Sequence, residues 1–271
     1  MNRNELLNEL QTIYSLLNAE EMPETHSYLD YLLSEEDFDD SPERIAVKLS
    51  ETDEPEPLPG FVIDFITEVL ECEIENGNAD AMNDIGAMYY DGHRGFEQSF
   101  EKAVYYYDMA AANGNRAAQE NLGYCYYYGR VGAPDYEKAF HYFALGAFDG
   151  HLISLYKIGD MYLNGYYVKK NEKEAFYIYN RCLQTMTEEA ENYVAGPVFL
   201  RLGKMFFYGI GTEVNLKNAL ICYQKAEAFL YEMVSGGNYM YKKSLFAAIA
   251  GQQKTREKLM KTLPDRDWHF D

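Results

Sequence analysis

The chain has 271 residues, with 24 Lys+Arg against 44 Asp+Glu, a formal net charge of −20, and 47% hydrophobic content. That is enough for one or two globular domains with a real core. No apolar run approaches the ~20 residues needed to span a bilayer. The acid excess opposes binding to phosphate backbones, which depends on Lys and Arg releasing counterions. Neither a membrane nor a nucleic acid is an expected partner.

Residues 1–60 carry 16 Asp+Glu and 3 Lys+Arg, so most of the acid excess lies there. Met1 to Glu20 holds one basic residue, Arg3, and is broken by Asn4, Glu5, Asn8, Glu9 and Gln11. It lacks the continuous apolar stretch and cleavage site of a signal peptide, so a cytoplasmic location is expected. Residues 4–18, 26–34 and 43–50 read as helices. Leu6, Leu7, Leu10, Ile13, Leu16 and Leu17 form a stripe of helical period. A Pro-rich stretch, Pro55-Glu56-Pro57-Leu58-Pro59, ends this acidic, mainly helical region of residues 1–60.

From residue 77 the chain repeats itself. An apolar-Gly pair recurs as Ile85-Gly86, Leu122-Gly123, Ile158-Gly159 and Leu202-Gly203, with glycines 37, 36 and 44 residues apart. Three residues after each glycine comes an aromatic (Tyr89, Tyr126, Tyr162, Phe206), and six after it another glycine (Gly92, Gly129, Gly165, Gly209). An alanine follows in phase at Ala103, Ala139, Ala175 and Ala219. A fixed period in this size range marks a repeat architecture. Each unit reads as a helical hairpin. Ile85 and Tyr89 share a helical face, Gly86 lets the partner helix approach, and Gly92 suits a left-handed stop. Tyr126, at the repeat aromatic position, is expected in the hairpin core.

These residues resemble the Sel1-like repeat, a relative of the tetratricopeptide repeat. Its pattern runs from alanines through Leu-Gly-x-x-Tyr-x-x-Gly to Lys-Ala in the second helix. Lys102-Ala103 and Lys138-Ala139 match the last element, whereas Glu174-Ala175 and Asn218-Ala219 keep only the alanine. The resemblance implies an all-α fold, an α-solenoid built as a right-handed superhelix of helical hairpins. Residues 77–236 are assigned to four repeats. The third carries roughly eight extra residues around Thr185 to Asn192, which lengthen its second helix or the turn after it. Residues 61–76 read as a degenerate capping helix, with Ile66 at the alanine position and Val69-Leu70 at the aromatic ones. Residues 237–271 read as a C-terminal capping helix and tail. There Gly237-Asn238 restarts the pattern, Leu245 and Ile249 replace Leu and Tyr, and Phe246 replaces the close-approach glycine. Lys242, Lys243, Lys254, Arg256, Lys258 and Lys261 supply the polar outer face that a terminal repeat requires.

Chemistry is sparse. His26, His93, His141, His151 and His269 form no HExxH or i,i+4 pair, so no metal and no cofactor is expected. Gly209-Ile210-Gly211 is only a GxG inside an interhelix loop. Cys72, Cys125, Cys182 and Cys222 show no metal or redox spacing and read as free buried thiols. Ser154-Leu155-Tyr156-Lys157 fits the SxxK acylation motif, and some secreted, cysteine-rich Sel1 proteins are linked to penicillin binding. However, Ser154 takes the small-residue position of Ala81 and Ala118, and neither SDN nor KTG accompanies it.

The 26 tyrosines remain. If first helices line the concave surface, as in tetratricopeptide repeats, positions beside the close-approach glycine face the groove. These are Asn83, Tyr90, Tyr124, Tyr127, Tyr156, Asp160, Lys204 and Phe207. Such aromatics are common interaction hot spots. The expected function is a non-enzymatic adaptor that binds a peptide or protein partner in this groove. The alternatives are an immunity or inhibitor protein whose acidic region masks a basic toxin, and a β-lactam-acylated hydrolase through Ser154 and Lys157.

Overall fold

The structure, a computed structural model, describes residues 3–34, 40–52, 57–92, 95–186 and 191–262. Among the described residues there are thirteen α-helices, one π turn, one 3-10 turn and no strand. Two compact units divide the chain, Met1–Ala139 and Phe140–Asp271, with the boundary inside one helix. His93, His269, Pro55, Glu56 and the tail from residue 263 lie outside the described residues.

In the first unit, α1 (Arg3–Leu16), α2 (Pro23–Ser34) and α3 (Pro42–Glu51) occupy the three segments expected to be helical. The α1 stripe buries Leu6, Leu10 and Ile13, while Leu16 is exposed. Ser41 caps α3 by accepting from the Arg44 N–H at 3.3 Å, and Pro42 follows where a missing N–H costs nothing. α4 (Gly60–Glu75) buries Ile66, Val69 and Leu70 as a degenerate second helix should. All four helices share one core with Ala81, Ile85 and Phe96. The acidic region is therefore packed onto the first repeat rather than standing as a separate module.

The hairpins follow in order. The first unit holds α5 (Ala79–Asp91), α6 (Phe100–Ala112) and α7 (Arg116–Tyr128); α8 (Tyr136–Phe148) contains the boundary. The second unit continues with α9 (Leu152–Asn164), α10 (Glu172–Thr185), α11 (Gly196–Tyr208) and α12 (Leu216–Ser235). It ends with α13 (Lys242–Met260). Three of the close-approach glycines, Gly86, Gly159 and Gly203, pack against a second-helix tyrosine. A Cβ on Gly86 would lie 2.8 Å from Tyr107, one on Gly159 2.7 Å from Tyr179, and one on Gly203 2.8 Å from Tyr223. Those three tyrosines are buried, whereas Tyr89, Tyr126, Tyr162 and Phe206 are only half-buried. The expectation that Tyr126 fills the hairpin core is thus corrected. Glycine leaves room for one aromatic, and the second helix supplies it. Gly92, Gly129, Gly165 and Gly209 end the first helices at φ of 60°, 63°, 74° and 71°, in the left-handed region that suits glycine.

Two departures from the repeat stand out. The extra residues of the third repeat do not lengthen α10, which stops at Thr185; they enter the connection, where Glu191–Ala195 forms a π turn leading into α11. Residues 187–190 of that insertion lie outside the described residues. In the C-terminal cap, a 3-10 turn at Tyr239–Tyr241 delays the helix until Lys242. The register moves accordingly. Phe246 is 67% exposed, and Gly251 takes the close-approach place, with its Cα against the Tyr223 ring. The basic residues of the cap, Lys242, Lys243, Lys254, Arg256, Lys258 and Lys261, are all exposed.

Candidate interaction surface

In the first unit, the first helices α5 and α7 are positioned by paired caps. Asn78 and Asn115 each accept from backbone N–H groups at the start of their own helix. Their amide nitrogens also reach back, Asn78 donating to Glu43 at 2.5 Å and Asn115 to Asp80 at 2.7 Å. Asn83 joins the same system, accepting from Asn121 Nδ2 at 3.1 Å and donating to Asp84. It links α5 to α7. Its amide is therefore committed to holding neighbouring first helices in register.

The last turns of α5 and α7 carry an aromatic surface in the first unit. Tyr90 meets Phe100 edge to face at 5.2 Å, and its hydroxyl accepts from Arg130 Nε at 3.0 Å. The Arg130 guanidinium lies 5.4 Å from the Tyr90 ring, 5.0 Å from Phe100 and 5.6 Å from Tyr128. Tyr128 stacks on Tyr124 at 6.1 Å and meets Tyr127 edge to face at 5.0 Å; Tyr127 also meets Tyr136 at 5.8 Å. Tyr90, Tyr124 and Tyr127 are half-buried, and Tyr128 is 50% exposed. These rings pre-order one another, so little side-chain entropy remains to be lost on binding. Sequence reasoning found Tyr90, Tyr124 and Tyr127 but missed Phe100, Tyr128 and Arg130. Arg130 follows the left-handed Gly129 directly, and that turn aims it back across the helix ends. A cationic residue immediately after the stop glycine was the available signal.

In the second unit the predicted residues separate. Tyr156 is 4% exposed and Asp160 5% exposed, against the expectation that both face a groove. Asp160 on α9 receives Arg201 Nε at 2.5 Å and Nη2 at 2.6 Å from α11, and the Tyr179 hydroxyl of α10 at 2.6 Å. Arg201 Nη1 donates to the Pro197 carbonyl at 2.9 Å, and the guanidinium sits 5.0 Å above the Tyr156 ring. With its charge matched this way, the carboxylate is turned inward and ties three helices. Burying a charge requires such pairing. The counter-charge comes from 41 residues away, so no local pattern announces it. Lys204 is exposed and Phe207 half-buried, beside Tyr208 and under the Lys258 ammonium at 5.0 Å. Partial desolvation of its ammonium, together with the neighbouring Arg201 charge, lowers the Lys204 pKa, an effect Asp160 partly opposes.

The remaining motifs are structural in place. Ser154 is fully buried, at the side of Gly146, and Lys157 is 4% exposed, its ammonium 5.5 Å from the Tyr156 ring. Neither is open to an acylating substrate. Gly211 lies so close to the Glu172 carbonyl that a side chain would collide with it, which accounts for the GxG. Among the described residues no group of three or more His, Cys, Asp or Glu is placed to hold a metal ion. Nor, among them, is any helix long and apolar enough to cross a membrane.

The Sel1 repeat family matches residues 79–115, 116–151, 152–181 and 200–228. A Sel1 repeat protein from Oxalobacter formigenes superposes with a TM-score of 0.57 at 18% identity, covering 95% of this chain and 100% of that one. A protective antigen of uropathogenic Escherichia coli with an SLR fold gives a TM-score of 0.52 at 22% identity, over 76% of this chain and 45% of the other. In Arabidopsis thaliana, the ERAD-associated E3 ubiquitin-protein ligase component HRD3B is 40% identical over 62 residues. That stretch is 23% of this chain and 9% of the relative, so the likeness is confined to a small part of a much longer protein. Sel1-repeat proteins generally mediate protein–protein interactions. By its four repeats, its hairpin geometry and these likenesses, the chain is a Sel1-repeat protein with an all-α solenoid fold.

Proposed function

We propose that the protein is a non-enzymatic adaptor that holds a peptide or protein partner on a surface presented by the first helices of its repeats. One observation carries this reading: the pre-ordered cluster of Tyr90, Tyr124, Tyr127, Tyr128 and Arg130 on an accessible surface. Tyr and Arg are the residue types that concentrate binding energy at interfaces. Lys204 and Phe207 are candidate contacts of the second unit by itself. A relative in part, HRD3B, is an E3 ubiquitin-protein ligase component, in keeping with an adaptor role. Cys125, Cys182 and Cys222, buried as free thiols, favour a reducing compartment such as the cytoplasm. An affinity pull-down with mass spectrometry, repeated with Tyr127→Ala, tests the adaptor reading; an unchanged set of captured proteins overturns it.

A second reading, an inhibitor or immunity protein masking a basic partner, is favoured by the acidic N-terminal helices. Leu6, Leu10, Ile13, Leu29 and Leu32 are in the core, while Glu5, Glu9, Glu20, Glu21, Glu24 and Asp30 stay exposed. Co-elution with a basic protein that is lost when these acids are replaced by Gln distinguishes it from the adaptor reading.

A further inference from the structure

The C-terminal cap inverts the charge of the chain. Against a net of −20, α13 carries Lys242, Lys243, Lys254, Arg256 and Lys258, with Glu257 as its sole acid. Where α13 meets α11 there is a cavity of about 200 Å³, lined by Lys204, Phe207, Tyr208, Tyr223, Gly251 and Lys254. Gly251 makes room for the Tyr223 ring, which lies where a side chain at 251 would go and forms the cavity's inner wall. Lys204 and Lys254 are exposed on its walls, and among the described residues neither has a carboxylate in ion-pairing range. Lys258 adds a third ammonium, over the outer face of Phe207. The result is an apolar, aromatic-walled pocket rimmed by unmatched cations on an otherwise acidic protein.

The geometry points to this pocket as the seat of an acidic peptide segment, one that places a bulky apolar side chain between Phe207, Tyr208 and Tyr223 and flanking carboxylates on Lys204 and Lys254. The apolar walls select against a bare polyanion, and the two lysines select for acidic flanks. An acidic partner is otherwise repelled by the net charge, so these lysines give it a defined place to land. The inference rests on the adaptor reading only in taking the partner to be a peptide or protein. Within that reading it names the partner's chemistry at Lys204 and Phe207.

Fluorescence anisotropy on the full chain tests it, using a labelled decapeptide of glutamates around one central phenylalanine. The expected result is saturable binding that weakens with salt and falls at least tenfold in Lys204→Glu/Lys254→Glu. It should be unchanged within twofold in Lys242→Glu/Lys243→Glu, which alters net charge equally at the far end of α13. A polyglutamate lacking phenylalanine should bind at least tenfold more weakly. Circular dichroism melts of both variants establish that each is folded. Absence of binding to the wild-type chain overturns the proposal. So does equal loss in both charge variants, or displacement of the peptide by a single-stranded oligonucleotide of the same charge, since either reduces the pocket to bulk electrostatics. Concentration-dependent self-association abolished by Lys204→Glu/Lys254→Glu overturns it in favour of a second copy's acidic helices. The short probe reports on the pocket alone. Its failure leaves the Tyr127→Ala pull-down standing, and failure of that pull-down leaves the peptide result standing.

Discussion

The backbone N–H of Asn171 donates to the carbonyl of Tyr162 at 2.8 Å, tying the start of α10 to the end of α9. The same bond joins Ser99 to Tyr89, Asp135 to Tyr126 and Asn215 to Phe206, at 2.8, 2.9 and 2.8 Å. In each repeat the acceptor is the aromatic three residues after the close-approach glycine, and the donor is the residue that caps the second helix. Ser99, Asp135, Asn171 and Asn215 each also accept from a backbone N–H three residues on. One residue therefore closes the hairpin with its main chain and caps a helix with its side chain. Losing a cap of this kind costs about 0.5–2 kcal/mol.

Gly86→Ala and Gly159→Ala should both lower the melting temperature, although alanine is the better helix former. The new methyl groups would lie 2.8 Å from the Tyr107 ring and 2.7 Å from the Tyr179 ring. Overpacking costs about 1–3 kcal/mol, against a propensity gain of about 1 kcal/mol. Leucine at either site should be worse. Urea denaturation of the variants checks this, and unchanged midpoints would remove the close-approach role of the glycines.

The hairpins were legible because their determinants are local. An apolar-Gly pair, an aromatic three residues on and a stop glycine six on recur as Ile85-Gly86, Tyr89 and Gly92 do. What decides burial at Asp160 and Tyr156 is Arg201, in the next repeat, and nothing within one repeat's length encodes that pairing. The cap register failed for a related reason. Gly237-Asn238 looks like Gly77-Asn78, but Asn238 makes no side-chain cap bond, so the helix begins at Lys242 and Gly251 rather than Phe246 meets Tyr223. Arg130 was missed because its role depends on the left-handed turn at Gly129 that redirects it.

Asp160→Ala should destabilise the second unit strongly. It leaves Arg201 without a counter-charge and the Tyr179 hydroxyl without its acceptor. Breaking one half of a buried pair costs about 3–5 kcal/mol, whereas replacing both halves by apolar groups can be nearly neutral. The double variant Asp160→Leu/Arg201→Met should therefore be more stable than Asp160→Ala alone. A denaturation series with both variants reads the difference directly.

Asp84 should make stability fall as the pH rises toward neutral. Burial raises its pKa to about 6; the Asn83 hydrogen bond opposes the shift, and Glu43, Asp80 and Glu51 add to it. In the unfolded chain the group titrates near its ordinary value of about 4. The folded state therefore holds the extra proton between these values, and the stability it contributes is full below about pH 4 and lost as the pH rises through 6. Asp84→Asn should stabilise the protein at pH 7 by on the order of 1–2 kcal/mol and make little difference at pH 4. Guanidinium unfolding at both values checks the sign.

The cysteines should divide by burial. Cys125, Cys182 and Cys222 are buried, and desolvation pushes their thiols up to about 12, 12 and 11. Thiolate is the reactive form, so these three should resist a thiol reagent in the folded chain. Half-buried Cys72 should react first. Ellman titration before and after denaturation should count one accessible thiol, then four.

Tyr127 and Tyr107 should separate binding from folding. Tyr107 is 2% exposed and fills the space that Gly86 leaves, so Tyr107→Ala should cost about 3–5 kcal/mol, as large-to-small core changes do. Tyr127 is half-buried and rests on Tyr128 and Tyr136, at the accessible side of the aromatic cluster. Its loss should leave the melt nearly unmoved while weakening a captured partner tenfold or more, about 1.4 kcal/mol. Tyr126, half-buried under the Lys138 ammonium at 4.7 Å, should fall between the two in stability and leave binding intact. Surface plasmon resonance on a partner recovered by pull-down, beside melts of all three variants, gives both axes. If Tyr126→Ala weakens binding and Tyr127→Ala does not, the binding face lies one residue back along α7. If neither does, the contact is elsewhere, and the lysines of the C-terminal pocket are the next residues to change.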